Sequence, residues 1–291
     1  MGVYLLKLHK DTFTFRQSMR RNDFECYHYI DDSPLYIPFH DHEFYEIFFF
    51  LSGNASYIIE GRTYQLRAGD ILLTDNKDIH RPVVENGKTY ERFVLWIDPA
   101  FLSDLSCEDC DLTSCFYASS EKKYKLIRPD SSTLTNLKNI FEKMLESRKS
   151  SAFGCNLLSK IYLTEFLVYL NRAYFATGED ITKDITQNKK INEVIEYINN
   201  HLNEELTLDM LSNAVYVSKS HLGHLFKTYT GLTLYQYIIK KRLTTARNML
   251  KMNTPAIEAC MSCGFTDYSN FLKAFKREFG TSPKSFMNKN K

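Results

Sequence analysis

A near-duplication in the last hundred residues constrains the fold more than any other feature of this chain. Phe226-Lys227 and Phe275-Lys276 lie 49 residues apart, as do Gly231 and Gly280, and Tyr237 and Phe286. At the same offset Leu208 aligns with Ile257, Asp209 with Glu258, Tyr216 with Phe265, Leu222 with Phe271, and Thr233 with Ser282. Each copy is predicted as helix, tight turn, helix. In the first, Thr207 caps Leu208–Ala214 and Ser218 caps a second helix through Lys227. In the second, Pro255 opens a helix after Thr254, Gly264 supplies the turn, and Thr266 caps a helix running to Glu278. Twin helix-turn-helix units follow, and the second helix of such a unit enters the DNA major groove.

The apolar positions assign an inward face to each second helix: Leu222, Leu225 and Phe226, then Phe271, Ala274 and Phe275. The opposite face is Ser220, Gly223, His224 and Lys227 in one copy and Ser269, Leu272, Lys273 and Lys276 in the other. Hydroxyl, imidazole and ammonium groups can meet base edges or phosphates, and an apolar leucine can meet a thymine methyl. Ser218, Lys219 and His221 of the first unit and Thr266, Tyr268 and Asn270 of the second complete the candidate DNA-facing set. Between the copies, Ile239, Leu243, Ala246 and Leu250 stripe a helix over Leu234–Lys251. Its length of ~27 Å suits a strut holding two recognition helices near the ~34 Å repeat of successive major grooves. At the 49-residue offset Cys260 and Cys263 fall opposite Leu211 and Ala214, which predicts packing and not redox chemistry. Charge agrees with a polyanion partner: residues 190–291 hold 14 Lys and Arg against 8 Asp and Glu, whereas residues 1–189 hold 23 against 27.

Over these hundred residues the chain resembles the AraC family of bacterial transcriptional regulators, through Ser218–Gly231 (SKSHLGHLFKTYTG), Leu234–Leu250 and Gly264–Phe286 (GFTDYSNFLKAFKREFGTSPKSF). The resemblance implies base-facing roles for Ser220, Gly223 and His224 in the first unit and for Tyr268, Ser269, Asn270 and Lys273 in the second. Gly223 departs from the family by offering no side chain where a polar reader is common. Ala256 and Ala259 depart by standing where larger aliphatics are usual.

Residues 24–100 carry a different period. Short runs at Tyr27–Ile30, Glu46–Leu51, Ser56–Ile59, Thr63–Leu66, Ile71–Leu73 and Arg92–Ile97 are separated by turn signals such as Ser52-Gly53-Asn54, Glu60-Gly61, Ala68-Gly69-Asp70 and Glu85-Asn86-Gly87. This spacing predicts an antiparallel β-barrel or sandwich. Leu134, Leu137, Ile140, Phe141, Met144 and Leu145, then Leu157, Leu158, Ile161, Phe166 and Leu170, predict a helical hairpin turning near Ser150–Gly154. Residues 177–189 are polar and aperiodic, and read as a linker. The fold class is therefore α+β in two domains, an antiparallel barrel with a helical hairpin followed by an all-α twin helix-turn-helix domain. The divisions are 1–105 for the barrel, 106–176 for a polar loop and a dimerising hairpin, 177–189 for the linker and 190–291 for the DNA-binding domain.

Composition closes off other classes. With 25% charged and 44% apolar residues, and only 11 Gly and 7 Pro, the chain is neither disordered nor collagenous. No apolar run approaches the ~20 residues of a membrane span. MGVYLLKLHKDTF lacks the pattern of a secretory signal, and Leu6 stands where a myristoylation signal wants Ser or Thr. A cytoplasmic location and reduced thiols are expected. Cys107, Cys110 and Cys115 form C-x2-C-x4-C without a fourth ligand at zinc-site spacing, so a plain polar loop is the default beside metal or redox roles.

The barrel holds a second constellation, His40-x-His42-x3-Glu46, with His80 further on. Alternation puts His40 and His42 on one face, where Glu46 and His80 could join them. The pattern resembles the cupin motifs, although the first lacks its leading Gly and the second has Asp75 and Lys77 where Pro and Gly are usual. Three imidazoles and a carboxylate suit Fe, Mn, Zn, Cu or Ni. The preferred reading is a metal-free effector pocket with no cofactor, formed by His40, His42, Glu46, His80 and Trp96. A metal on His40, His42, Glu46 and His80 is the alternative. Trp96 with Tyr45, Tyr57, Tyr64 and Tyr90 would suit a carbohydrate, or form core. A cupin metalloenzyme with a secondary DNA-binding tail and a constitutive regulator with an inert barrel stand as the other readings. The expected partners are double-stranded DNA, a small-molecule effector, a second copy of the chain and RNA polymerase, with no membrane and no enzymatic activity.

Overall fold

The computed structural model describes residues 11, 13, 16–32, 36–85, 87, 89–121, 124–177 and 179–289. The readings made on the first ten residues and on Asn86 lie outside that set. The chain divides into two compact units, the first running to Ile59 and from Thr63 to Thr186, the second made of Glu60–Arg62 and the chain from Gln187 onward.

The first unit is built on strands β1 (Phe24–Asp31), β2 (Tyr45–Ser52), β3 (Ala55–Ile59), β4 (Arg62–Gln65), β5 (Ile71–Thr74), β6 (His80–Val84) and β7 (Tyr90–Ile97). Helices α1 (Pro99–Leu105) and α2 (Ser114–Glu121), strand β8 (Leu126–Ile127), and helices α3 (Ser131–Lys149) and α4 (Cys155–Ala176) follow. A 3-10 turn (Glu179–Asp184) and strand β9 (Ile185–Thr186) close the unit. The strands form two sheets, ordered β1-β7-β2-β5-β8 and β6-β3-β4-β9, and not one closed barrel. All recorded pairings between these strands are antiparallel, as the short-strand pattern predicts. β6 is absent from the sequence reading because Pro82 interrupts its pattern. Its position on a sheet edge makes the proline tolerable.

Period-two alternation sorts β7 between two cores. Phe93, Leu95 and Ile97 join Leu137, Ile140, Phe141, Phe166 and Leu170 beneath the α3–α4 hairpin. Tyr90, Val94 and Trp96 point the other way, into a layer shared with Phe48, Tyr57 and Tyr64 of both sheets. The hairpin turns between Lys149 and Cys155, and Asp130 caps α3 by accepting from the Ser132 and Thr133 amides. The turn before β5 needs Gly69 at φ 96°, where an added Cβ would press on the Leu134 side chain of α3.

The supposed linker is in part attached to this unit. Ile181 is buried in the inter-sheet core, β9 pairs with β4, and Asp184 bridges Arg67 and Arg128 at 2.7 and 2.6 Å. Two isoleucines four residues apart carry this docking, too few to register as a period. The polar stretch after residue 105 likewise contains α2, anchored by the buried Cys115 and Phe116.

From Gln187 onward the described residues of the second unit form helices α5 (Lys189–Asn200), α6 (Leu208–Ala214), α7 (Lys219–Thr230), α8 (Leu234–Lys251), α9 (Ala256–Ser262), α10 (Tyr268–Phe279) and α11 (Pro283–Lys289). Ile191, Val194, Ile195 and Ile198 of α5 are buried, as their spacing predicts. The capping box of α8 joins Thr233 and Gln236 reciprocally.

The helix–sheet core of the first unit has a specific weak point. Phe93 and Phe141 stack at 4.4 Å, both fully buried. Phe141→Ala should lower the free energy of unfolding by about 3–5 kcal/mol, read from chemical denaturation of the full chain.

Candidate functional site

The two helix-turn-helix units are not related by one offset throughout. α7 and α10 start 49 residues apart, but α6 and α9 start 48 apart. The positive-φ residues that turn the chain, Tyr216 at 55° and Gly264 at 82°, are also separated by 48. The second turn therefore holds one extra residue, and the first helices align one position away from the uniform repeat. Cys260 matches the buried Ser212, and Cys263 matches the buried Val215. Both cysteines remain core residues, with the Cys263 thiol pushed up to about 12 chiefly by burial. The longer turn also moves the cap of α10 from Thr266 to Asp267, whose carboxylate accepts from the Asn270 amide at 2.6 Å. Gly264 is required twice over, since a Cβ there would strike the Leu202 carbonyl oxygen and the Arg242 guanidinium.

This scaffold exposes the expected faces. Ser218, Lys219, Ser220, His221, His224 and Lys227 are exposed around α7, with Gly223 half-buried and Lys219 ion-paired to Asp209. Thr266, Tyr268, Ser269, Asn270, Lys273 and Lys276 are exposed around α10, with Leu272 half-buried. Leu222, Phe226, Phe271 and Phe275 are fully buried beneath them. No atom lies within 4 Å of a Cβ placed on Gly223, so α7 presents bare backbone there for close approach. Arg277 escaped the sequence reading. It stands four residues after Lys273 and lines a surface groove with Lys273, Asn270, Thr266 and Arg242. That spacing was the available signal.

The first unit holds a small cavity of about 40 Å³ in its inter-sheet layer. Pairing registers put Glu46 beside Trp96 and Phe48 beside Val94 on adjacent strands. Trp96 Nε1 donates to Glu46 at 2.7 Å and the Tyr57 hydroxyl donates to its other oxygen at 3.1 Å. Burial pushes the Glu46 carboxyl upward, against these hydrogen bonds and a nearby His40. His40, Glu46, Tyr57 and Trp96 line the cavity. Tyr64 and Tyr90 belong to the same core, whereas Tyr45 faces the helices, 4.4 Å from Phe116.

His42 and His80 meet Glu46 from another side. Their Nε2 atoms lie 3.8 and 3.9 Å from its two oxygens. Each Nδ1 donates to a backbone carbonyl, Phe44 at 2.8 Å and Asp78 at 3.0 Å, which leaves Nε2 as the lone-pair atom. The three ligand atoms fall within 4.8 Å of one another, a donor set that fits a divalent transition metal. His40 stands outside this group among the described residues, although its ring is 4.3 Å from that of His80. Burial and the neighbouring His80 lower its pKa to about 4. Cys107 and Cys110 face each other across a backbone bridge, Cys107 exposed, while Cys115 is buried away from solvent. These cysteines form no metal-ligand group among the described residues.

A family model described as an AraC-like ligand binding domain matches residues 21–167, and one for a helix-turn-helix domain matches residues 211–289. The chain belongs to the AraC family. It is a DNA-binding transcription regulator with an effector-binding domain. Similar curated proteins include the HTH-type transcriptional activator RhaS of Escherichia fergusonii, 23% identical over 266 residues and covering 85% of this chain and 86% of the relative. RhaS of Salmonella schwarzengrund is 25% identical over 251 residues, with the same coverage. Among solved structures, unsaturated fatty acid bound ToxT from Vibrio cholerae strain SCE256 aligns over 92% of this chain and 97% of its own, with 14% identity and a TM-score of 0.39. Among the described residues, no helix of this AraC-family chain is long and apolar enough to cross a membrane.

The exposed face of α10 makes Lys273 the sharpest probe. Lys273→Ala should relax discrimination at one base pair by about 1–3 kcal/mol in competition binding across operator variants. An even loss across all sequences, with a shallower salt dependence, would instead assign Lys273 to phosphate.

Proposed function

We propose that this AraC-family regulator acts in the cytoplasm as a homodimer, with the inter-sheet cavity binding the effector that sets its affinity for DNA. The observation carrying this reading is a partly open cavity between the sheets whose wall combines Trp96, Glu46 and His40 with apolar residues, the composition of a small-molecule site. Residues 1–105 then recognise effector, 106–176 dimerise, 177–189 connect and 190–291 bind DNA. In this reading Ser220, His224, Ser269, Asn270 and Lys273 read bases and Lys219, Lys227, Lys276 and Arg277 contact phosphate, a division supported by their exposure on α7 and α10. By likeness to relatives named transcriptional activators, RNA polymerase is the further partner at the promoter.

Dimerisation rests on α4. Leu157, Leu158 and Ile161 are 64, 44 and 51% exposed on one side of this helix, beside a fully exposed Phe153. A two-fold pairing brings this stripe against its own copy. Ile161→Glu should shift the chain from dimer to monomer in sedimentation velocity; an unchanged dimer places the interface elsewhere.

A second reading concerns the metal. His42, Glu46 and His80 have the atoms and spacing to hold one divalent ion, which would order the cavity wall through Glu46. The two readings separate experimentally. Under the cavity reading, Trp96→Ala abolishes effector-dependent reporter expression while basal DNA binding survives, and a chelator changes nothing. Under the metal reading, the purified chain carries one metal per molecule, and EDTA reproduces the His80→Ala phenotype on the unmutated protein. A Trp96→Ala chain that still responds fully would overturn the cavity assignment.

A further inference from the structure

Two guanidinium groups, Arg16 and Arg92, line the same inter-sheet cavity. Arg92 is 2% exposed, and its position on β7 shares the parity of Val94 and Trp96. Its Nη1 donates to Asp31 at 2.6 Å, but its Nη2 is buried with no hydrogen-bond partner. Arg16 repeats the arrangement. Its Nη2 serves Glu25 and the Tyr27 hydroxyl, its Nη1 is buried without a partner, and its guanidinium lies 4.9 Å over the Trp96 ring. Aromatic rings hold Arg92 in place, with Tyr90 at 4.3 Å and Tyr29 at 5.0 Å. A buried donor without an acceptor costs about 1–3 kcal/mol, and more when the group is charged. Two such donors on one small cavity therefore define what the cavity lacks.

The carboxylates on and beside the wall are already engaged. Glu46 has one oxygen on Trp96 Nε1 and the other on the Tyr57 hydroxyl. Glu25 and Asp31 are engaged by Arg16 and Arg92 themselves. The Tyr90 hydroxyl, beneath Arg92, is a further buried group with no partner. The unmet atoms are thus donors, or in the hydroxyl's case able to donate. A neutral polyol brings one O–H for every oxygen, and each of those would need an acceptor. A carboxylate brings two oxygens with about four lone-pair sites and no hydrogen.

Resting on the cavity reading above, we propose that the effector is a small carboxylate whose oxygens take up Arg92 Nη2 and Arg16 Nη1. Charge-assisted bonds of this kind are the strong class, and burial between two sheets shields them from solvent. A carbohydrate effector that satisfies these atoms is one carrying a carboxylate, a sugar acid.

The test is the thermal shift of the full chain with acetate, lactate and glucuronate, each beside its uncharged counterpart acetamide, lactamide or glucose, in chloride-matched buffer. At least one carboxylate should raise Tm saturably while its uncharged counterpart does not. Arg92→Gln should weaken that response roughly 10- to 100-fold. Arg16→Gln, at a side chain 18% exposed, should do the same and stands alone if the Arg92 variant does not fold. Glucose raising Tm where glucuronate does not would overturn the carboxylate and leave the cavity reading intact. No shift with any of the six would also overturn it, with Trp96→Ala still judging the cavity separately. A carboxylate bound equally well by Arg16→Gln and Trp96→Ala would overturn both.

Discussion

β7 is buried on both faces, and the first unit depends on that constraint. It lies between β1 and β2 in the five-stranded sheet, so its backbone is satisfied on both edges. Its side chains must then alternate without error between the helix side and the inter-sheet side. A slip of one residue would send Arg92 into the Phe141 core and Phe93 into the cavity. Glu46 is placed by the same register, because it lies directly across from Trp96 on β2. The α3–α4 hairpin secures the register by closing over Phe93, Leu95 and Ile97. Cavity, histidine cluster and hairpin are consequences of one strand held from every side.

The second unit solves a different problem: two similar modules must bury their faces with different residues. In the first, Leu211, Val215, Leu222 and Phe226 fill the core. In the second, Ala259, Cys260, Cys263, Phe265, Phe271 and Phe275 do so with Leu243, Ala246 and Leu250 of α8. Ala259 looks too small in the sequence, but Phe265 is available through the extra turn residue and packs 5.2 Å from Phe271. A longer turn and a smaller helix residue compensate each other, which keeps the face of α10 equivalent to that of α7.

The legible parts of the sequence were those with a period. The twin helices, α8, the hairpin and six strands announce themselves through spacing, and the exposed faces of α7 and α10 follow from where the apolar residues lie. The one-residue difference between the turns was hidden, because an offset is read from the best-matching residues and those lie in the second helices. β9 and the docked segment before it were hidden because two isoleucines and one aspartate do not make a pattern. At the site, His40, His42, Glu46, His80 and Trp96 were visible as a motif, but its division was not. The structure gathers His42, Glu46 and His80 into one cluster and leaves His40 on the cavity wall. Arg92 could have been found, since it shares Trp96's parity on a recognised strand. Arg16 gave no signal, as its place depends on packing across Trp96.

Glu46 ties the two halves of this site together. It lines the cavity, accepts from Trp96 and Tyr57, and faces His42 and His80 at under 4 Å. A fully buried carboxylate is costly unless its charge is matched, and burial here pushes its pKa upward. Any positive charge brought to the histidine side favours the ionised form and strengthens the bonds from Trp96 Nε1 and Tyr57. Any negative charge brought to the cavity side opposes that ionisation. In the proposed effector site, occupancy of the cavity and the charge state of the cluster would therefore be linked through one side chain, by Coulomb interaction across a few ångströms. The same carboxylate sits on β2 against β7, the strand that also packs the hairpin carrying the exposed stripe of α4. A physical route from the proposed effector site to the proposed dimer surface thus needs no element beyond those already packed on β7.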